Sequence, residues 1–251
     1  MELYVQRDQP QGVPPLSLTG ERTLPDVPEE NYWFRRHLVV YEWIAARAHG
    51  RRVVDLACGE GYGSAVLART AASVVGVDAN PEAFEHARLK YTGVDFERNM
   101  IELWTGDVDC VVFLQTIEHV QDPDAVLDHI RALIGPRGVA YISTPNVLTL
   151  APKGAERSGN PWHVREYRAH EYRALCERHF GSVDLLGLFH ARKLRAHQWA
   201  LEHAGWDAVH ARLGITERFY ERFTPAISTR DFALRRRRLD RALDFLAVLR
   251  P

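Results

Sequence analysis

The 251-residue sequence predicts a single α/β domain, an open and mostly parallel sheet with helices on both faces. Three observations predict it. Short β-branched runs alternate with segments of helical periodicity, the pattern of βαβ units. Two of the helical segments open with a capping residue and a proline, Asn80-Pro81 and Asp122-Pro123. The first apolar run ends in an acid and then three alternate glycines, "RVVDLACGEGYGS", as a tight strand-to-helix turn requires.

Residues 1–30 carry Pro10, Pro14, Pro15, Pro25 and Pro28 and read as an extended arm. From residue 31 to 49 an amphipathic helix is expected, with Phe34, Leu38, Tyr41, Ala45 and Ala48 on one face; Tyr32 to Arg36 are placed as a lid. Residues 50–146 form the ligand-binding core. Its strands are expected at Val53–Ala57, Ser73–Asp78, Val94–Glu97, Val108–Leu114 and Gly138–Ser143. The helix after Asn80 buries Ala83, Phe84, Ala87 and Tyr91, and the one after Asp122 buries Val126, Ile130, Leu133 and Ile134. Residues 147–251 supply a Pro/Gly loop, a helix near Ala169–Arg178, a strand at Val183–Phe189, a helical insertion rich in His and Trp, and an edge strand at Leu243–Leu249.

Composition excludes several partners. With 46% hydrophobic residues, 26% charged residues and a net charge of -1, the chain is globular and has no long-range attraction for nucleic acid or an anionic membrane. The basic block Arg235–Arg238 lies near Asp231 and Asp240 and reads as a solvated face. Cys58, Cys110 and Cys176 lack the spacing of a zinc site or disulfide framework, which fits reduced thiols in the cytoplasm. A charged start followed by an apolar run is missing, as is any stretch of about 18 apolar residues, so a soluble protein is expected. A homo-oligomer is compatible with all of this.

The glycine turn speaks to function. Gly59, Gly61 and Gly63 follow G-x-G-x-G, with Ser64 where a dinucleotide turn requires its third glycine, so an NAD reading is disfavoured. Asp55, just inside the strand, suits a cationic ligand. Asp78 ends the second strand about 20 residues on, where an acid takes ribose hydroxyls. Asn99 and Met100 are placed to read an adenine edge. His119 and His163 are candidate bases at the carboxyl edge of the sheet, and Glu118 is expected to point back toward a helix or an arginine. Trp33, Trp104, Trp162 and Tyr167 could form a platform for a sugar face. His163 and Glu166 lie three apart with no further carboxylate cluster, so no metal is expected.

The segments "VVDLACGEGYG", "VVGVDAN", "FLQTIEHVQDPDAVL" and "ISTPN" resemble those of the class I S-adenosylmethionine-dependent methyltransferases, over about Val53 to Asn146. The resemblance implies a Rossmann-like fold with a seven-stranded sheet and an antiparallel last strand. It also implies S-adenosylmethionine as cofactor, with Asp55, Ala57, Gly59, Gly61 and Gly63 at the methionine part and the turn. Asp78 and Ala79 would then hold the ribose, Asn99 and Met100 the adenine, and Gln115 would lie beside the methionine end. The flanking "LTGERTLPD", "NYWFRRH", "NPWHVREY" and "GLFHARKLR" look like actinobacterial sugar O-methyltransferases, including those of methylglucose lipopolysaccharide synthesis. That likeness implies a small-molecule or oligosaccharide acceptor held by Trp33, Trp162, Arg165 and Tyr167. The chain departs from its relatives at "ELWTGDVD", in front of the fourth strand. An NAD oxidoreductase or a non-catalytic binding subunit would be the rival readings, the latter expected to have lost the glycines or the ribose acid.

Overall fold

The computed structural model describes residues 3–4, 6, 9–18, 22–152, 154–203 and 216–251. In the arm, β1 (Leu3–Tyr4) pairs antiparallel with β2 (Leu16–Ser17). The main sheet contains β3 (Arg52–Leu56), β4 (Ser73–Asp78), β5 (Asp95–Arg98), β6 (Cys110–Leu114), β7 (Val139–Pro145), β8 (Ser182–His190), β9 (Phe232–Arg235) and β10 (Asp244–Arg250). The order across it is β5-β4-β3-β6-β7-β10-β8-β9. β5, β4, β3, β6 and β7 run parallel, whereas β10 is antiparallel to both β7 and β8, and β8 to β9.

The sheet therefore has eight strands rather than the expected seven. β9 is four residues long and runs straight into the arginine block, so its sequence carries too little alternation to read as a strand. The last strand is not an edge strand. It lies inside the sheet, and its apolar run is unbroken because both faces are covered: Phe245, Ala247 and Leu249 join one core cluster, Leu246 and Val248 the other.

Helices α1 (Asn31–Ala45) and α2 (Tyr62–Leu67) cover one face. α3 (Pro81–Lys90) packs on β4 and β5, and α4 (Pro123–Ile134) covers the other face. A short α5 (Val147–Leu150) follows β7, and α6 (Ala169–His179) lies beside α4. α7 (Arg192–His203) and α8 (Thr216–Phe223) belong to the His- and Trp-rich insertion, of which residues 204–215 lie outside the described residues. The caps behave as their residues dictate: Asn80 accepts from Glu82 and Ala83 N–H, and Asp122 from Ala125 N–H. α1 ends four residues short of the expected His49. Among the described residues no helix is long and apolar enough to cross a membrane.

Two long-range polar clusters tie the ends of the chain to this frame. Glu60, 1% exposed, accepts from Gln6 of the arm and from Lys90 and Tyr91 at the end of α3, and pairs with His86. Burial alone would raise its carboxyl, but hydrogen bonds from His86, Lys90 and Tyr91 and the Lys90 charge hold it below the usual range. Arg36 of α1 forks onto Asp244 at the start of β10, with Nε and Nη2 donating at 2.7 and 2.6 Å, and Nη2 also reaches the Leu243 carbonyl at 3.0 Å. Both side chains are buried. Removing one partner leaves an unpaired charge in a dry site, so Asp244→Ala should destabilise the fold by about 3–5 kcal/mol in urea unfolding. A loss under about 1 kcal/mol would show that water reaches Arg36.

Candidate active site

Parallel strands present their carboxyl ends to one rim, and there two cavities of about 310 and 320 Å³ open side by side. Arg22, Thr23, His37, Gln115 and His119 line both, so the two form one continuous site.

The first cavity sits over the glycine turn, lined by Ala57, Cys58, Gly59, Glu60, Asp78 and Asn80. Two non-glycine residues with left-handed backbone mark its floor: Ala57, φ 57°, ends β3, and Gln115, φ 51°, ends β6. Such strained positions persist where the surrounding structure imposes them. The three glycines divide into different tasks. Above Gly59, φ +57°, nothing lies within 4 Å of where a Cβ would stand, so its backbone faces the open cavity. A Cβ on Gly61 would lie 2.9 Å from that of Ala87, and one on Gly63 would lie 2.1 Å from the Tyr41 ring. Those two glycines let α2 approach α3 and α1. The sequence reading put all three at the ligand; of the three, Gly59 lines the cavity.

Asp78 accepts the Gly59 N–H on Oδ2 at 2.8 Å and the Asn80 N–H on Oδ1 at 2.9 Å, each oxygen keeping a lone pair for the cavity. Ala79 is exposed beside it. Asp55 lies beneath the cavity rather than in its lining, fully buried and held by the Ser64 and Tyr41 hydroxyls at 2.7 and 3.2 Å. Burial pushes its carboxyl up to about 7. Asn99 and Met100 lie off the lining; the Asn99 side chain accepts from Met100 N–H, and Met100 is half exposed. Gln115 donates from Nε2 to Ser143 Oγ at 2.9 Å.

The second cavity carries Trp33, Arg36, Glu118, His119, Asn160 and His163. His119 Nδ1 lies 3.0 Å from the Trp162 carbonyl, which can only accept, so Nδ1 carries the proton and Nε2 is the basic nitrogen. His163 Nδ1 meets Glu166 Oε1 at 2.7 Å, while Asn160 Nδ2 donates to Nε2 at 3.0 Å. The two rings stand edge to face with centroids 5.0 Å apart. Burial pushes His37 down to about 4, which keeps it neutral near pH 7.

Glu118, expected to point toward a helix or an arginine, is buried and lines this cavity together with Arg22 and Arg36, with Oε2 lacking a hydrogen-bond partner among the described residues. Its backbone carbonyl takes the N–H groups of Val164 and Arg165 and so anchors the "NPWHVREY" loop. Ligand atoms of Glu118, His119 and His163 all lie within 4.8 Å of one another, a group able to hold a cation. The expectation of no metal considered only the His163–Glu166 spacing, whereas folding adds Glu118 and His119.

The aromatic platform shrinks. Trp33 is 40% exposed at the cavity, but Trp104 is core with its Nε1 on Glu97, and Tyr167 is 1% exposed in the core beside Tyr172. Trp162 and Arg165 are exposed outside the lining, Arg165 lying over the Tyr167 ring. Arg22 and Thr23, from the segment "LTGERTLPD", join the lining without having been site candidates, and Arg22 Nη1 is buried with no hydrogen-bond partner among the described residues.

An acid at the end of the second parallel strand and a glycine turn open to solvent are what a nucleoside-type cofactor needs at the carboxyl edge of a parallel sheet, and a second, histidine-lined cavity adjoins them. Residues 31–211 match the family model described as a methyltransferase domain, and the chain belongs to that family. It is 44% identical over 183 residues to a probable S-adenosylmethionine-dependent methyltransferase of Mycolicibacterium smegmatis, covering 71% of both chains. A counterpart of Mycobacterium tuberculosis is 42% identical over 184 residues, covering 72% of this chain and 67% of its own. The fold is shared with a Thermotoga maritima S-adenosylmethionine-dependent methyltransferase, described as a possible histamine N-methyltransferase (TM-score 0.59, 16% identity, covering 88% and 94%). The protein is an S-adenosylmethionine-dependent methyltransferase.

The glycines and Glu118 yield two predictions. Gly63→Ala should destabilise the fold by about 1–3 kcal/mol through the clash with Tyr41, whereas Gly59→Ala should fold yet weaken S-adenosylmethionine binding in calorimetry. Equal effects of the two on binding would contradict this division. Burial pushes the Glu118 carboxyl from 4.5 up to about 8. The folded state therefore holds a proton that the unfolded state gives up, and this contribution to stability falls as pH rises from about 4.5 to 8. Glu118→Gln should lose less stability than the parent over that range in urea titrations; parallel curves would show a carboxyl with an ordinary pKa.

Proposed function

We propose that the enzyme transfers the methyl group to a sugar hydroxyl of a saccharide or polysaccharide precursor. The observation that carries this reading is the lining of the second cavity, which combines Trp33 with Glu118, Asn160 and His163. An aromatic face with several convergent polar groups suits a polyol better than a flat apolar ring. The sugar O-methyltransferase-like segments "NYWFRRH" and "NPWHVREY" supply Trp33, Arg36, His37, Asn160 and His163 to that lining, which supports the same reading.

In this reading S-adenosylmethionine lies in the first cavity, with its ribose hydroxyls on Asp78 and its methionine end over Gly59 and beside Gln115. The buried Arg22 amino group would hold the methionine carboxylate, and His119, which lines both cavities, would stand between cofactor and acceptor. The hydroxyl oxygen attacks the methyl carbon, the carbon–sulfur bonding pair stays on sulfur, and the hydroxyl proton passes to His119 Nε2. His163 has both ring nitrogens engaged, by Glu166 and Asn160, and so positions the acceptor.

Gluco- and manno-oligosaccharides, with and without existing O-methyl groups, should gain one methyl mass unit with labelled cofactor. A phenol or small acid methylated faster than every glycan would overturn the acceptor class. His119→Ala should lower turnover by about 10²- to 10⁴-fold, with cofactor affinity changed far less, whereas His163→Ala should chiefly raise the acceptor KM. Activity lost on chelation and restored by a divalent cation would instead assign the Glu118–His119–His163 group to a metal.

A further inference from the structure

The arginine block is exposed, as a solvated face requires, and it also borders a cavity. Only Arg236 of its four members has an ion-pair partner, Asp184 at 2.8 Å, and Asp231 is occupied by Ser228 and Lys193. Arg235, Arg237 and Arg238 converge instead with Arg241 and with Arg195 of α7 on a separate cavity of about 330 Å³. No carboxylate lines it, and none of the five arginines forms an ion pair with a described residue. Asp240, in the same turn, is exposed and off the lining.

This cavity is held in shape. Asn146, completely buried at the end of β7, donates to the carbonyls of Asp240 and Ala242 at 3.2 and 2.8 Å, and Thr149 Oγ1 donates to the Ala242 carbonyl at 2.8 Å. These bonds pin the β9–β10 connection, where Arg238 takes a left-handed backbone, φ 59°. Arg235 rests over the Phe189 ring, and Gln198 accepts from His190 Nδ1 at 2.9 Å.

The cavity adjoins the acceptor side. β8 and β10 are antiparallel, so the carboxyl end of β8 and the start of β10 share the rim where β7 ends. Leu243 lines the arginine cavity and its carbonyl takes Arg36 Nη2, while Arg36 lines the acceptor cavity. His190 is bonded to Tyr32 of α1 at 2.8 Å. Hydrogen bonds of Leu243 to Arg36 and of His190 to Tyr32 therefore link the lining of the arginine cavity to α1, which carries part of the other lining.

We propose that the arginine cavity binds a phosphoryl group of the acceptor, so that the enzyme methylates a phosphorylated or nucleotide-linked saccharide. Guanidinium forks match phosphate oxygens in pairs, and five uncompensated cations in a molecule of net charge -1 make a local trap for a polyanion. The identity of the acceptor rests on the sugar reading above, whereas phosphoryl binding does not.

Inorganic pyrophosphate, titrated calorimetrically at low salt, should bind the parent and bind Arg237→Gln/Arg241→Gln at least about tenfold more weakly, with S-adenosylmethionine affinity retained. Pyrophosphate that fails to bind, or binds parent and variant alike, overturns the proposal. A sugar 1-phosphate and a nucleoside diphosphate sugar then separate the two sources: the acceptor is the one whose KM rises about tenfold in the variant. If the best acceptor is a neutral glycan whose KM is the same in both enzymes, the phosphoryl site is refuted and the sugar reading stands. If no glycan is methylated but pyrophosphate binding follows the arginines, the sugar reading fails and the phosphoryl site stands.

Discussion

The buried pair of Arg36 and Asp244 fixes more of this molecule than any other interaction. It joins the helix after the arm to the strand that completes the sheet, across 208 positions of sequence. Its helix turn also brings Trp33 and His37 to the cavities, and its third hydrogen bond fixes Leu243. Cut off from water, the guanidinium has no other carboxylate among the described residues, so α1 has one place to sit. Within the segment expected as a lid, Arg36 is held by Asp244 and its guanidinium lies 4.8 Å from the centre of the Trp33 ring, which lines the second cavity.

Electrostatics at the rim follows from the same dryness. Asp55 and Glu118 both end up with carboxyls pushed up by burial, one beneath the cofactor cavity and one in the acceptor cavity. Glu60, equally buried, stays below the usual carboxylate range because His86, Lys90 and Tyr91 surround it. Three acids at one edge of a sheet thus hold different protonation states, set by which hydrogen-bond donors the neighbouring elements deliver.

The parallel half of the fold was legible because each of its strands and helices is specified locally: periodicity, an Asn-Pro or Asp-Pro opening, a glycine turn. The second half was less so, because its placement depends on pairing partners far away. Leu243–Leu249 is apolar on every residue, which is what an interior strand needs, but a run at the end of a chain invites an edge assignment. Residue types in the site were easier to foresee than their directions. Asp78, Gly59, Gln115, His119 and His163 all line the cavities, as does Glu118, while Gly63 and Tyr167 are packed against neighbouring rings. Arg22 sits in the segment "LTGERTLPD" that the sequence singles out, but its place in the site depends on an arm docked through contacts such as Gln6 with Glu60, 54 positions apart.

The position of β10 has a consequence for how the chain is made. A ribosome delivers this strand after both of its neighbours, β7 and β8, so from the completion of β8 until β10 is made those two edges lack the partner that joins them. Those edges belong to apolar strands buried in the finished molecule, such as Val139 to Ile142 and Leu185 to Leu188. The nascent protein therefore carries two sticky edges until the final strand emerges and zips between them, a window in which chaperone cover matters more than the stability of the finished fold.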